Sequence, residues 1–142
     1  MKDPRVPEKV VQQQIREALI KVGAKVYTIG RPPRRDAVHK GTGQTPGIPD
    51  LLVFLPESPR LVPSPLDRWP DGSPVMVATP THMLWIEVKA KGGKLREEQA
   101  EFQARCRRAG VDHLVGGLDA VLAYLVEHGY VSEVAHYRRR SA

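Results

Sequence analysis

The charged side chains at positions 87 and 89 are the first candidates for chemistry. Glu87 and Lys89 stand in the apolar segment 83–90, which we expect to form a β-strand. Alternate residues of a strand point to the same side, so the carboxylate and the ammonium should share one face, with Ile86 and Val88 on the other. Such a pair can hold a divalent cation beside a positive charge. Taken alone, Glu-x-Lys is also common on solvated strand faces.

Asp50 supplies a second signal. It follows Gly47-Ile48-Pro49 and opens the continuous apolar run 51–55, which predicts a fully buried strand. Two carboxylates with a few waters suit Mg²⁺ or Mn²⁺, and the carbonyl of Val88 can complete the oxygen ligands. Lys89 can stabilise a hydroxide and the negative charge that develops on a phosphate. These residue types favour metal-assisted phosphodiester hydrolysis, although Asp50 alone is equally typical of a turn.

Other chemistries lack their residues. The chain has no Gly-x-Gly-x-x-Gly, no Gly-x-x-x-x-Gly-Lys and no cysteine pair for zinc. Its single cysteine, Cys106, excludes an internal disulfide and falls on the expected buried face of a helix, which disfavours a catalytic thiol. No serine or cysteine nucleophile is marked beside a histidine.

Composition and charge suggest an anionic partner. The 142 residues include 22 Lys and Arg against 16 Asp and Glu, a net charge of +6, and nucleic acid is the first candidate. A basic but inert surface is the alternative. No run of about 18 apolar residues predicts a membrane span, and the first residues lack an apolar signal core, so we expect a soluble intracellular protein.

The remaining patterns predict the elements that position these groups. Helices are expected at 8–22, 94–109 and 118–128, and strands at 24–29, 51–55, 83–90 and 111–115. The order α-β-β-β-α-β-α, with a β-α-β crossover, predicts an α/β fold with a mixed sheet and helices on both faces. Three polar side chains lie near the N-terminal ends of the apolar helix stripes: Glu8 and Gln12 on the first helix and Gln99 on the second. Each faces either the site or solvent and backbone.

Two connections carry their own signals. The segment 30–46 predicts a basic loop, whose charged groups either contact phosphate or merely aid solubility. Two lysines flank the glycine turn at 92–93. From both segments together, the candidate DNA contacts are Arg31, Arg34, Arg35, His39, Lys40, Lys91 and Lys94. The segment 56–80 holds seven of the 13 prolines. It predicts a long surface excursion, with a short hairpin around 75–78, that is either functional or disordered.

These motifs together resemble a known family. Gly47-Ile48-Pro49-Asp50, then Ile86-Glu87-Val88-Lys89-Ala90, then Gly93-Lys94-Leu95 and Gln99 are similar in order to the VRR-NUC branch of the PD-(D/E)xK nuclease superfamily. The resemblance implies one domain over residues 1–142 with a restriction-endonuclease-like α-β-β-β-α-β core, and the proline-rich stretch as an insertion. It implies metal ligation by Asp50 and Glu87, catalysis by Lys89, and supporting roles for Gln99 and for Glu8 as the first-helix acid.

The activity implied is a metal-dependent, structure-selective endodeoxyribonuclease that acts on branched DNA, Holliday junctions among the candidates. The resemblance also implies a homodimer, in a bacterial cytoplasm, whether the gene is bacterial or from a phage. Two alternatives stay open: a restriction-type or repair nuclease that cuts duplexes or flaps, and a DNA-binding module that kept the fold without catalysis.

Overall fold

The computed structural model describes residues 6–29 and 46–132. The five basic residues of the loop between them, Arg31, Arg34, Arg35, His39 and Lys40, lie outside the described residues. The elements are α1 Glu8–Lys21, β1 Lys25–Thr28, β2 Leu51–Leu55, β3 Ser58–Arg68, β4 Pro74–Thr79, β5 His82–Val88, α2 Glu97–Ala109, β6 Asp112–Gly116 and α3 Leu118–Glu127.

Four of the strands form one mixed sheet in the order β1-β2-β5-β6. The pairs β1–β2 and β2–β5 are antiparallel, and β5–β6 is parallel. A parallel pair needs a long crossover, which α2 provides. The predicted α/β class, with a β-α-β crossover in a mixed sheet, is confirmed.

The main core lies between the sheet and the helices α1 and α3. Ile15 of α1, Leu84 and Ile86 of β5, and Leu122 and Leu125 of α3 are almost completely removed from solvent. Each such side chain contributes roughly 1.5–3 kcal/mol through burial. In β5 the even-numbered residues therefore anchor the strand, which leaves the odd-numbered ones for the opposite face.

That opposite face is only partly covered. The Phe102 ring of α2 meets Trp85 of β5 edge-on, with ring centroids 5.3 Å apart. Towards β1 the cover ends, so Phe54 of β2 is 46% exposed. The prediction of a fully buried strand at 51–55 was therefore wrong: its odd-numbered residues are buried and Phe54 faces solvent.

Residues 58–79 form a two-stranded hairpin of their own, which we call the arm. β3 and β4 pair antiparallel with each other, and the chain reverses in a turn at 69–72, where Gly72 has φ +87°. At the root, Ser58 donates to the carbonyl of His128 at the end of α3, and Tyr130 donates to the carbonyl of Pro56 at 2.6 Å. The expected excursion is present, but its hairpin is much longer than the short one predicted at 75–78.

Helix α2 also departs from expectation. It begins at Glu97 instead of Lys94, because Arg96 is extended and serves as the N-cap residue. Ala109, expected on the buried stripe, is exposed, because α2 buries only Cys106 fully and packs through a short stripe. No helix in residues 6–29 and 46–132 has the length and apolar character to cross a membrane.

Candidate active site

Asp50 and Glu87 meet because two antiparallel strands place them opposite each other. Leu51 of β2 pairs with Ile86 of β5, so the next residue outward on β2 lies beside the next residue along β5. The register is held at this point by Asp50, whose Oδ2 accepts the backbone N–H of Val88 at 2.9 Å. Opposed residues of an antiparallel pair share a face. The sheet itself therefore brings the two carboxylates together.

Glu87 is a buried carboxylate, 3% exposed. Its Oε1 accepts the Gln99 side-chain amide at 2.7 Å, whereas Oε2 has no hydrogen-bond partner among the described residues. Burial first, and the Asp50 charge second, raise the pKa of Glu87 to about 7, against the opposing effect of Lys89. A buried acceptor oxygen without a partner requires an explanation, and a bound cation is one.

Lys89 follows directly after β5. Its backbone N–H donates to the carbonyl of Gly116 at 3.0 Å, which continues the β5–β6 pairing by one residue. Its Nζ lies 3.6 Å from Glu87 Oε1, and its side chain is only 13% exposed. The ammonium and the carboxylate thus share one face, as their spacing predicts.

Gln99 connects α2 to the site. Its amide nitrogen donates to Glu87, and its Oε1 accepts the backbone N–H of Arg96 at 2.9 Å. The Gln99 side chain therefore caps the N-terminus of α2 and also holds the carboxylate of Glu87 in place. The sequence indicated an inward polar residue here but left its partner open. The structure brings Gln99 together with Asp50, Glu87 and Lys89.

Gly47 sets the position of Asp50, a role that the sequence reading missed. Its φ is +92°, and a Cβ added there would lie 2.4 Å from the backbone oxygen of Glu98 in the first turn of α2. Only glycine permits both the conformation and the contact. The Gly-x-Pro-Asp segment is thereby packed on the same helix that carries Gln99. The sequence signal for this role is the glycine two residues before Pro49, which we interpreted only as part of the Gly-x-Pro-Asp motif.

The remaining predicted site residues lie apart or at the rim. Glu8 is exposed in the first turn of α1 and forms no hydrogen bond or ion pair with Asp50, Glu87 or Lys89. Lys91 and Lys94 are exposed in the connection from β5 to α2. Lys91 lines a cleft of about 680 Å³ beside Lys89, whose walls include the turns at 92–93 and 116–117.

The donors present fit a hard divalent cation. In the part of the chain that the structure describes, no three His, Cys, Asp or Glu side chains converge as a metal site. Two carboxylates, Asp50 and Glu87, do meet, and the carbonyl of Val88 remains a predicted third ligand. An oxygen-only set with few protein ligands suits Mg²⁺ or Mn²⁺, which retain several waters. The unpartnered Glu87 Oε2 agrees with this assignment.

Comparisons with known proteins point the same way. The chain matches the family model of the VRR-NUC domain over residues 5–116, while no curated protein matches it. A solved structure described as a VRR_NUC domain is similar with a TM-score of 0.52 and 24% sequence identity, over 85% of this chain and 95% of that one. This likeness concerns the fold, whereas the family match spans all four residues that meet at the site. The chain therefore belongs to the VRR-NUC domain family, whose members are nuclease domains that process DNA and generally depend on a divalent metal.

Proposed function

We propose that this protein is a Mg²⁺- or Mn²⁺-dependent, structure-selective endodeoxyribonuclease that hydrolyses phosphodiester bonds in branched DNA, Holliday junctions among its substrates. One observation carries the proposal: Asp50 and the buried Glu87 meet beside Lys89, and one oxygen of Glu87 has no hydrogen-bond partner in the described part of the chain. A buried acid of this kind costs stability unless it binds something. A role in binding a cation accounts for its presence.

Each side chain has a separate task in the proposed reaction. Asp50 and Glu87 hold the cation, which when bound polarises the phosphate and makes a water more acidic. Lys89, fixed 3.6 Å from Glu87, stabilises the negative charge that develops on the phosphate oxygens. Gln99 keeps the Glu87 carboxylate in a single orientation by its 2.7 Å hydrogen bond. A hydrogen bond to a metal ligand from a neighbouring residue tunes the affinity of the site for its metal.

The surroundings support a nucleic-acid substrate. The cleft beside Lys89 is bordered by two glycine turns, which allow a phosphate backbone to approach closely, and by Lys91 at its rim. Lys94 lies in the same connection. Two symmetric cuts in a junction call for two sites, so a homodimer is part of the proposal. The proposed place of action is a bacterial cytoplasm, where such DNA is available.

A cleavage assay with matched substrates tests the proposal. Purified protein is incubated with a four-way junction, a flap and a linear duplex of shared sequence, with Mg²⁺, with Mn²⁺ and with EDTA. We expect the junction to be cut fastest and EDTA to abolish cleavage. Asp50→Asn and Glu87→Gln should each reduce the rate by about 10³-fold, because each removes a charged ligand while nearly preserving shape.

Glu101→Gln is the matched control. Glu101 lies on the exposed side of α2, where it pairs with Arg105, so the same chemical change there should leave cleavage unaltered. If the flap or the duplex were cut faster than the junction, the protein would be a restriction-type or repair nuclease, and branched DNA would not be its preferred substrate. Junction binding without cleavage under every metal condition, or full activity in Glu87→Gln, would reject the enzyme and leave a DNA-binding module.

A further inference from the structure

The arm carries an apolar face that nothing described in the chain covers. Leu61 pairs with Ala78 and Pro63 with Met76, so these four side chains lie on one side of the hairpin. All four are exposed, Leu61 at 60% and Met76 at 48%. Beyond a register shift, Leu66 near the tip is 87% exposed. A row of exposed apolar side chains on one sheet face is unusual for a free surface.

The arm also stands away from the rest of the fold. Among the described residues, β3 and β4 pack against each other and against no other strand or helix. Its attachment is confined to the root, where hydrogen bonds join Ser58 and Arg60 to the end of α3. With 11 residues in β3, the arm extends about 35 Å. An isolated two-stranded hairpin is marginally stable in water, which indicates that the apolar face is covered by another surface.

The chain offers a second uncovered apolar surface, on the part of the main sheet that α2 leaves open. Tyr27 of β1 and Phe54 of β2 meet edge-on with ring centroids 6.0 Å apart, and they are 47% and 46% exposed. Lys25 Nζ lies 5.7 Å from the centre of the Tyr27 ring. We call these three residues the sheet patch. A cleft of about 460 Å³ that includes Lys25, Phe54 and Met83 adjoins it at the arm root.

Charge identifies a protein, and not DNA, as the partner of the arm. The arm, residues 58–79, contains two acids, Asp67 and Asp71, and two arginines, Arg60 and Arg68, a net charge of zero. The total charge of +6 therefore lies entirely on the remainder of the chain. An arm without net charge is unsuited to phosphate, whereas its apolar face can pack on an uncovered apolar surface such as the sheet patch. A second copy of this chain carries that surface.

The arm can supply only part of such an interface. About half of its 22 residues, from Ser58 to Thr79, point to one face, so each copy of the dimer contributes both this face and the sheet patch. In a two-fold dimer each arm can reach the sheet patch of the other copy, since such interfaces are reciprocal. The root of the arm joins β5 at His82, five residues from Glu87, or about 17 Å along the strand. Both active sites would stay open at the far end.

We infer that the arm is a dimerisation arm, whose apolar face of Leu61, Pro63, Met76 and Ala78 packs on the sheet patch of a second copy. This inference names the contact surface of the homodimer that the proposed function includes, and it rests on that proposal. Its test uses neither DNA nor metal. A failure of the arm to mediate association is therefore distinguishable from a failure of catalysis.

Sedimentation of the full chain over a range of concentrations tests the inference. We expect a dimer at low micromolar concentration. Leu61→Asp and Met76→Asp should each raise the dissociation constant by about 30-fold or more, the effect of placing a charge at the centre of an apolar contact. Phe54→Ser should act similarly from the other side of the interface. Val10→Asp is the matched control, since Val10 is 45% exposed on α1 and the same change there should leave the dimer intact.

Each possible outcome either supports the inference or overturns it. A wild-type monomer at 100 µM would overturn the inference, and so would a dimer that resists both arm variants. Loss of the dimer in the arm variants but not in Phe54→Ser would overturn the assignment of the sheet patch. Hydrogen exchange of the wild-type protein gives a check that needs no variant: backbone amides at 61–63 and 76–78 should gain protection as the concentration rises. Unchanged protection across the dissociation range would contradict the arm contact.

Discussion

At one end of β5, Glu87 is 3% exposed, and within residues 6–29 and 46–132 one of its oxygens has no hydrogen-bond partner. At the other end, the arm leaves Leu66 87% exposed. The first end buries a charge, and the second presents apolar surface to water. Each arrangement costs folding free energy in the isolated chain. Both costs are offset if the charge meets a cation and the apolar face meets a protein. The unfavourable features of the fold thus identify where its ligands belong.

The largest expected effect breaks the active-site end alone. Lys89→Met should slow junction cleavage by about 10³-fold, because the positive charge beside the phosphate is removed. The free energy of unfolding should also fall, by about 3 kcal/mol at neutral pH, because the buried Glu87 carboxylate loses its ammonium partner. Cleavage rates and urea titrations of the same preparation measure both. Lys9→Met, a change at an exposed position of α1, is the control. Equal rates for the two variants would show that the Lys89 ammonium has no part in the reaction.

Next in size is the effect of pH on the metal-free protein. The pKa of Glu87 is raised from 4.5 to about 7, so the folded protein retains a proton that the unfolded chain releases. Stability should therefore fall as pH rises from about 4.5 to 7, by about 3 kcal/mol, and then level off. Urea unfolding in EDTA at pH 5 and pH 8 measures this loss.

Glu87→Gln provides the control for that pH effect. The variant cannot ionise, so it should be more stable than the wild-type protein at pH 8 in EDTA, and similar to it near pH 4. Mg²⁺ or Mn²⁺ should raise the stability of the wild type at pH 8 and leave the variant nearly unchanged. If the variant were less stable than the wild type at pH 8, the Glu87 carboxylate would be a stabilising group. The claim that its buried charge costs folding free energy would then be wrong.

A smaller effect is expected from the glycine that packs Asp50 on α2. Gly47→Ala should lower the free energy of unfolding by more than about 2 kcal/mol, because its Cβ would collide with the backbone of Glu98 at φ +92°. Gly92→Ala is the matched control: φ is +83° and open space surrounds the site of its Cβ. It should cost about 1 kcal/mol from strain alone. Thermal or urea unfolding measures the loss of stability in each variant. Equal losses in the two variants would show that the contact with Glu98 does not contribute.

The smallest effect concerns the root of the arm. Tyr130→Phe removes the hydrogen bond to the carbonyl of Pro56 and should lower the free energy of unfolding by about 1 kcal/mol. Cleavage of a junction should be unaltered, because the root lies at the opposite end of β5 from Glu87. A large loss of cleavage in a folded Tyr130→Phe protein would show that the two ends of the molecule are coupled.

Local patterns in the sequence predicted the elements of the main sheet and the meeting of its charged groups. The alternation around Glu87 and Lys89 was enough to place both on one face, because strand geometry has a period of two. The polar position of Gln99 on an apolar stripe likewise indicated an inward role. What these residues do depends on side chains nearby in sequence or on a neighbouring strand.

Contacts between distant elements were less accessible. The exposure of Phe54 depends on where α2 stops covering the sheet, and an apolar run has no periodicity that reveals it. The approach of Gly47 to Glu98 joins segments about fifty residues apart. The arm was missed as a long hairpin because five of its residues are prolines, which lower strand propensity; pairing with a register shift accommodates them.

The register of β2 and β5 has a consequence for how the chain folds. Leu55 lies opposite His82, so these strands would pair as a simple hairpin if the 26 residues from 56 to 81 were replaced by a short turn. The entropy of closing a loop rises only with the logarithm of its length, so the insertion costs the β2–β5 pairing on the order of 1–2 kcal/mol. The nuclease sheet can therefore form early from its own strands, with the arm ordering afterwards. An appendage of this kind can change in length or composition between related proteins without altering the catalytic end.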